Sequence, residues 1–304
     1  MKDNRENNVK IKRKRKIAMF DLFAIIGLGL LAIIVVFPFY NVVIISFAEY
    51  EKIATSNLYL WPKSIDLTAY KRVLTDSDFW NSAAVTVFIT VSGVCVSMIT
   101  CVSGAYALAK KELPGRNLFF TMILVTMFFG GGLIPYYLLM KNLHLVNSVF
   151  VMIIPTAMNT TYLIIMKNYF RNLPAGLIEA AKIDGAGDIF ILAKIIIPIS
   201  KPFMATFALF YAVERWNEWW NSLMFINEAS KAPLQIYLRN LLITFNTSLS
   251  SAALNQAQSS MDRNIYFPSL QMAAVVIASV PILMVYPFLQ KHFAKGIMVG
   301  SLKE

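Results

Sequence analysis

The sequence predicts an all-α, polytopic membrane protein of six transmembrane helices with both termini in the cytoplasm. Three observations carry this. Of 304 residues, 57% are hydrophobic and only 15% charged, a balance that ordinary soluble domains do not show. Six apolar runs reach the length of about 20 residues that a helix needs to cross the hydrocarbon. Lys and Arg then alternate in abundance from one connection to the next.

The first span runs from Leu22 to Phe47, the second from about Trp80 to Ala109, the third from Leu118 to Met140 and the fourth from Leu145 to Met166. The fifth, Phe203 to Ile226, carries Glu214, Arg215 and Glu218, while the sixth, Leu270 to Leu289, is free of charge. The N-terminal tail to Lys16 holds 8 cationic residues, the 110–117 connection 3, the 167–202 connection 5 and the C-terminal tail 3. The intervening connections hold fewer: 4 in 48–79, 1 in 141–144 and 3 in 227–269. The positive-inside rule therefore assigns both ends to the cytoplasm, and the net charge of +11 reflects topology rather than nucleic-acid binding.

A cleaved signal peptide has a core of about 7–15 apolar residues ending in small ones. Here an uncharged run of 26 residues, Leu22 to Phe47, carries Pro38-Phe39-Tyr40-Asn41 in place of a small-residue ending, which reads as a retained signal anchor. Cys95 and Cys101 fall in the second span, about 240° apart around a helix, and cannot pair there; they read as small apolar fillers. The basic tail suits anionic headgroups. The 48–79 segment, with its Trp61-Pro62 break, is expected to form a small external cap.

Gly130-Gly131-Gly132 and Pro135 interrupt the third span. Broken backbone at membrane depth lies against protein or a water-filled cavity, so the break marks either a pathway or close helix packing through small residues. Segment 227–269 is long, and Asn246 to Ser260 is uncharged and rich in Ser, Asn, Gln and Ala. It reads as an outward-reaching element or a plain flexible loop.

The connection from Asn172 to Asp188 is the most informative stretch. Pro174 suits a helix first turn, Glu179-Ala180-Ala181-Lys182 are good helix formers and Asp184-Gly185 is a stop. Asp188 is then expected to cap a second short helix through Lys194, closed by Pro198. Paired alanines allow another protein close to this backbone, and Glu179 supplies an anion for a cationic partner group.

Glu179-Ala180-Ala181, three residues, Gly185, nine residues, Ile195, one residue, Ile197 and Pro198 resembles the EAA signature of ABC importer permeases. Ile197 stands where Leu is commonest. The likeness extends to six spans, to the signature's place in the fourth connection and to the ending Lys295-Gly296-Ile297-Met298-Val299-Gly300-Ser301, and it is similar to the second, maltose-type permease subunit of the carbohydrate-uptake branch. The resemblance implies a type I ABC importer permease fold in a bacterial plasma membrane. It divides the chain into a basic tail at 1–19, a first helix at 20–47, an extracellular segment at 48–79, a permease core at 80–290 with the coupling helix at 172–198, and a tail at 291–304.

It further implies a second, homologous permease, two ATPase subunits, a lipid-anchored or periplasmic solute-binding protein and a carbohydrate substrate as partners, with membrane lipid around them and no nucleic acid. The resemblance also implies that this chain would bind no cofactor and that ATP and Mg would be used by the ATPase. Glu179, Ala180, Ala181, Asp184, Gly185, Ala186, Ile195 and Pro198 would form the ATPase-coupling element. Glu179 would pair with a basic residue, Gly185 would make the turn, and the alanines would pack on the ATPase.

Ionisable groups inside a span face a bundle interior or water. Arg215 and Glu218 are three apart, which on a helix favours an ion pair. Aromatic rings stack on sugar faces and amides both donate and accept, so Trp216, Asn217, Glu218, Trp219, Trp220 and Asn221 are candidates for a carbohydrate path. Trp219 and Trp220 also fit an interfacial belt. Asn159, Thr160, Thr161 and Tyr162 form a polar patch that faces the same cavity or bonds neighbouring helices.

No Gly-x-x-x-x-Gly-Lys-Ser/Thr loop is present, so the chain is not expected to hydrolyse ATP, and the two histidines, His144 and His292, form no catalytic or metal cluster in sequence. The rival functions are a permease for a non-sugar solute, an ion-coupled secondary transporter, which would show repeated halves with broken spans, and a membrane enzyme acting on lipid-linked sugars.

Overall fold

The computed structural model describes residues 19–48, 61, 65–250 and 268–284. The basic tail, most of the expected cap, most of the uncharged 246–260 stretch, the end of the sixth span, His292 and the C-terminal ending lie outside the described residues. Among the described residues the chain is helical and contains no strand.

Among the described residues two helices are long and apolar enough to cross a membrane unaided. They are α1 (Met19–Ser46), whose apolar window begins at Leu22, and α3 (Ser77–Ala109). No side chain of α1 from Leu22 to Tyr40 is buried within the chain. The helix is moored at its end, where Ser46 Oγ and Tyr70 OH share a 2.6 Å hydrogen bond, Phe47 stacks on Tyr70 at 4.9 Å and Ser269 Oγ donates to the Ala48 carbonyl at 2.7 Å. Tyr70 belongs to α2 (Thr68–Thr75), a short surface helix of the expected cap. The Asp76 carboxylate accepts from the Asp78 N–H at 3.0 Å and so starts α3, satisfying one of the donors that every helix N-terminus leaves free.

The expected third span is two helices, α4 (Arg116–Phe128) and α5 (Leu133–Asn142), bent by 120°. Gly132, at φ +85°, occupies a conformation that a Cβ strongly disfavours, so the glycine run is the cause of the bend. The expected fourth span is not one helix. Residues 145–159 are irregular apart from a 3₁₀ turn at Val149–Met152, and α6 (Thr160–Arg171) begins only after Asn159. Pro155 and the left-handed backbone of His144 and Asn147 break the periodicity that the apolar run suggested.

After α6 come α7 (Ala175–Ile183) and α8 (Asp188–Ile199). A π turn, Leu192–Ile196, lies within α8 just before Pro198, which has no N–H to offer the Lys194 carbonyl and clashes with it in regular α geometry. A 90° bend then leads into α9 (Lys201–Trp216). This helix is the regular part of the expected fifth span, which stops at Trp216 and resumes as α10 (Trp220–Phe225). Beyond it, α11 (Leu234–Ser250) makes the first part of the long 227–269 segment helical, and α12 (Pro268–Met284) is the described part of the sixth span.

Helix α3 is the spine, packed along α6 and α9. One core unites Cys101 and Ala105 of α3, Leu163 and Met166 of α6, Phe207 and Tyr211 of α9, and Ala181, Ile191 and Ile196 of α7 and α8. At the other end Val73, Phe79, Leu234, Leu270 and Ala274 form a second core, reinforced where Thr86 Oγ1 accepts from the Leu234 N–H at 2.7 Å and Tyr237 OH donates to Asp76 Oδ2 at 2.7 Å.

Between these cores Arg215 is only 2% exposed. The expected ion pair with Glu218 does not form. The helix ends at Trp216, so the three-residue spacing no longer stacks the two side chains, and Glu218 turns to Asn221 instead. The guanidinium donates to the Met152 carbonyl at 2.8 Å, to Ser97 Oγ at 3.0 Å, and to the hydroxyl and carbonyl of Thr156. Irregular residues 149–159 thus supply carbonyls that a continuous helix would have consumed. Gly93 makes room for the crossing, because a Cβ there would lie 2.9 Å from Arg215 Cδ and Nε.

Arg215→Ala is expected to leave several buried acceptors unpaired, each costing about 1–3 kcal/mol, and to lower the unfolding temperature in detergent. Arg215→Lys, which lacks the planar fork, is expected to restore only part of it.

Candidate coupling segment and translocation cavity

Helix α7 ends in a Schellman turn. The Gly185 N–H donates to the Lys182 carbonyl at 3.0 Å and the Ala186 N–H to the Ala181 carbonyl at 2.9 Å, with Gly185 at φ +78° and Asp184 as the C-cap. This pattern satisfies carbonyls left open at a helix end and selects glycine. Asp188 does not cap α8, a position held by Gly187. Its carboxylate instead forms a salt bridge with Lys110, just beyond the end of α3. That hydrogen bond holds the Asp188 carboxyl below the usual carboxylate range. The contribution of the pair is therefore present above the ordinary carboxylate pKa and is lost as pH falls through the depressed value. The Lys110 ammonium also lies 4.7 Å from the centre of the Tyr106 ring.

Glu179, Ala180 and Pro198 are exposed, whereas Ala181 is buried in the shared core and Ala186 and Ile195 are half-buried against it. The two alanines thus face different ways: Ala180 is open to a partner and Ala181 seats α7 on its own bundle. Ile183 and Ile189, at 86% and 85% exposure, flank the turn as unpartnered apolar knobs.

Helix α9 carries about 24 Å of rise over its 16 residues from this segment to a cavity of 620 Å³. Trp216, Asn217 and Trp219 line it, together with Gln235, Leu238 and Arg239 of α11, Ala278 and Ser279 of α12 and Phe39 of α1. Trp216 Nε1 donates to the Ala278 carbonyl at 3.2 Å, and Gln235 Nε2 to the Trp216 carbonyl at 3.4 Å. Arg239 is the one charged residue among the described lining.

Glu218, Trp220 and Asn159 do not line this cavity. Trp220 packs edge-on to Trp219 at 5.5 Å. Glu218 Oε1 accepts from the Asn221 N–H at 2.8 Å, and Asn221 Oδ1 accepts from Tyr136 OH at 3.0 Å. Asn159 caps α6 through Oδ1, which accepts from the Thr161 N–H at 3.0 Å and the Tyr162 N–H at 3.3 Å. Glu214 accepts from Tyr162 OH at 2.7 Å and Asn159 Nδ2 at 3.4 Å. The polar patch is therefore helix capping and inter-helix bonding. Sequence reasoning missed Lys110, Gln235 and Arg239; the signal for the last two was the apolar spacing of Leu234, Leu238, Leu241 and Leu242.

Residues 117–299 match the family described as binding-protein-dependent transport system inner membrane component. The chain belongs to this family. It is 41% identical to Protein LplC of Bacillus subtilis (strain 168) over 285 residues, covering 94% of this chain and 95% of that protein. It is 39% identical to the polygalacturonan/rhamnogalacturonan transport system permease protein YtcP of the same strain, covering 94% and 98%. The trehalose/maltose transport system permease protein MalG of Thermococcus litoralis is 31% identical, with 93% and 96% covered. A solved bacterial ABC transporter involved in import of the acidic polysaccharide alginate has a chain with a TM-score of 0.83 and 36% identity, covering 92% of this chain and 98% of that one.

As an inner membrane component of an ABC importer, the chain is a transport subunit and not an enzyme. The segment bearing the EAA signature shares its core with α3, α6 and α9, and α9 ends at the cavity wall.

Gly185→Val is expected to strain the turn by about 1–2 kcal/mol. Hydrogen exchange should then quicken across residues 175–199 while the middle of α3 keeps its protection.

Proposed function

We propose that the chain is the second permease subunit of an ATP-driven importer of oligosaccharides, and that the saccharide it passes is acidic. The cavity carries this reading: indole rings of Trp216 and Trp219 for sugar faces, amides of Asn217 and Gln235 for hydroxyls, and Arg239 with no carboxylate among the described lining. A guanidinium in a largely apolar wall favours a carboxylate-bearing ligand through bidentate hydrogen bonds. Relatives named for polygalacturonan/rhamnogalacturonan transport and for alginate import support the same class.

In this reading six spans cross the membrane with both termini in the cytoplasm, the bent pair α4/α5 counting as the third span and α9 with α10 as the fifth, while α7 and α8 stay on the cytoplasmic side. The apolar side chains of α1 meet lipid and a second, homologous permease. Two ATPases seat against Glu179, Ala180 and the knobs beside Gly185, and a solute-binding protein delivers the saccharide from outside. Closure of the ATPases rocks the bundle between inward-open and outward-open states.

The test is uptake by proteoliposomes holding the whole complex and its binding protein. Wild type should accumulate a uronate oligosaccharide in an ATP-dependent manner with the proton gradient collapsed. Arg239→Gln should raise its half-saturation concentration about tenfold, as expected for loss of one charge-assisted pair, and leave a neutral oligosaccharide unaffected. Uptake of neutral oligosaccharides alone would overturn the acidic assignment, and uptake driven by the proton gradient without ATP would overturn the importer itself.

A further inference from the structure

The end of the bundle that carries the coupling segment holds a second feature that transport does not use. A hollow of 200 Å³ lies between α3, α4 and α6, lined by Leu108, Arg116, Asn117, Phe120, Lys167 and Arg171. A second hollow of 250 Å³ adjoins it through the shared Arg116 and Asn117 and adds Lys111. Four cations thus converge from three elements, and no carboxylate lines either hollow among the described residues. Asp188 is taken by Lys110.

Lys167 is the unusual member. It is only 9% exposed, and its ammonium lies 3.5 Å from the centre of the Phe120 ring with no hydrogen bond or ion pair among the described residues. Among the described residues Arg116 reaches only the neighbouring Asn117 Oδ1, through Nε and one terminal nitrogen at 3.4 Å each. A buried ammonium beside two guanidinium groups is electrostatically unfavourable unless an anion joins them. The site also stands at the N-terminus of α4, a helix of 13 residues, whose free N–H groups favour negative charge.

The geometry points to a binding site for the phosphate-bearing headgroup of an anionic phospholipid, held by Arg116, Lys167 and Arg171. The apolar floor of Leu108 and Phe120 and the position at the end of membrane-embedded helices favour a lipid over a free ion, since basic pockets between transmembrane helices take such headgroups. A lipid seated here braces α4 against α6, next to the Lys110–Asp188 tie that holds the coupling segment.

The assembled complex, purified from an equimolar mixture of phosphatidylglycerol and phosphatidylcholine, should retain phosphatidylglycerol as seen by native mass spectrometry. Each cation removed weakens such retention roughly fivefold, so Arg116→Gln/Arg171→Gln should lower it about 25-fold, while Arg116→Lys/Arg171→Lys keeps most of it. The basic N-terminal tail is the same in all variants and cancels from the comparison. If the double variant fails to assemble, Arg171→Gln alone carries the test with a fivefold loss. Equal retention by wild type and variants would overturn the proposal. So would displacement of all retained lipid by millimolar inorganic phosphate, which would mark a free-anion site. Loss of the ATPases with lipid retention unchanged would also overturn it, showing that the cations serve the ATPase instead.

Discussion

A guanidinium buried without a carboxylate partner fixes the middle of this molecule. Arg215 bonds to α3 and to the irregular stretch at residues 149–159, and those bonds orient the end of α9. Tyr211, one turn before it, is sealed in the core shared with the coupling segment, and Trp216, the next residue, turns into the cavity wall. A charge taken out of water is tolerated only when several dipoles face it. Those bonds and the shared core fix α9 against its neighbours at both levels.

Burial also fixes the segment that bears the EAA signature. Ala181, Ile191 and Ile196 are buried with residues of three long helices, so α7 and α8 belong to the bundle and do not hang from it as a loop. Lys110 adds a tie from the end of α3 to Asp188. Glu179, Ala180, Ile183 and Ile189 are among the residues left exposed. Within one pair of alanines, one is open and the other serves the mounting.

Much of this was legible in the residues. Hydropathy located α1 and α3, the glycine run located the break between α4 and α5, and Asp184-Gly185 located the turn. The sequence misled where a local rule assumed a helix that tertiary packing did not supply. Residues 145–166 are apolar enough to span, yet Pro155 and the left-handed Asn147 make the stretch 145–159 irregular and a source of carbonyls for Arg215. The spacing of Arg215 and Glu218 implied an ion pair, but the helix ends between them. Arg239 and Lys110 were hidden because their roles depend on which distant elements meet, on α9 and α12 around one and on α8 beside the other; the spacing of Leu234, Leu238, Leu241 and Leu242 marks a helix but not what that helix faces.

The claim that one body links the coupling segment to the cavity end is tested most directly by electron paramagnetic resonance distances within the chain. Spin labels would be placed at Ile183 and Leu223, both exposed, with Cys95 and Cys101 replaced by alanine, in the complete complex with and without bound ATP. The account predicts a single intrachain distance that stays fixed as the ATPases close, while distances to the second permease change. A shift between Ile183 and Leu223 upon closure would contradict it.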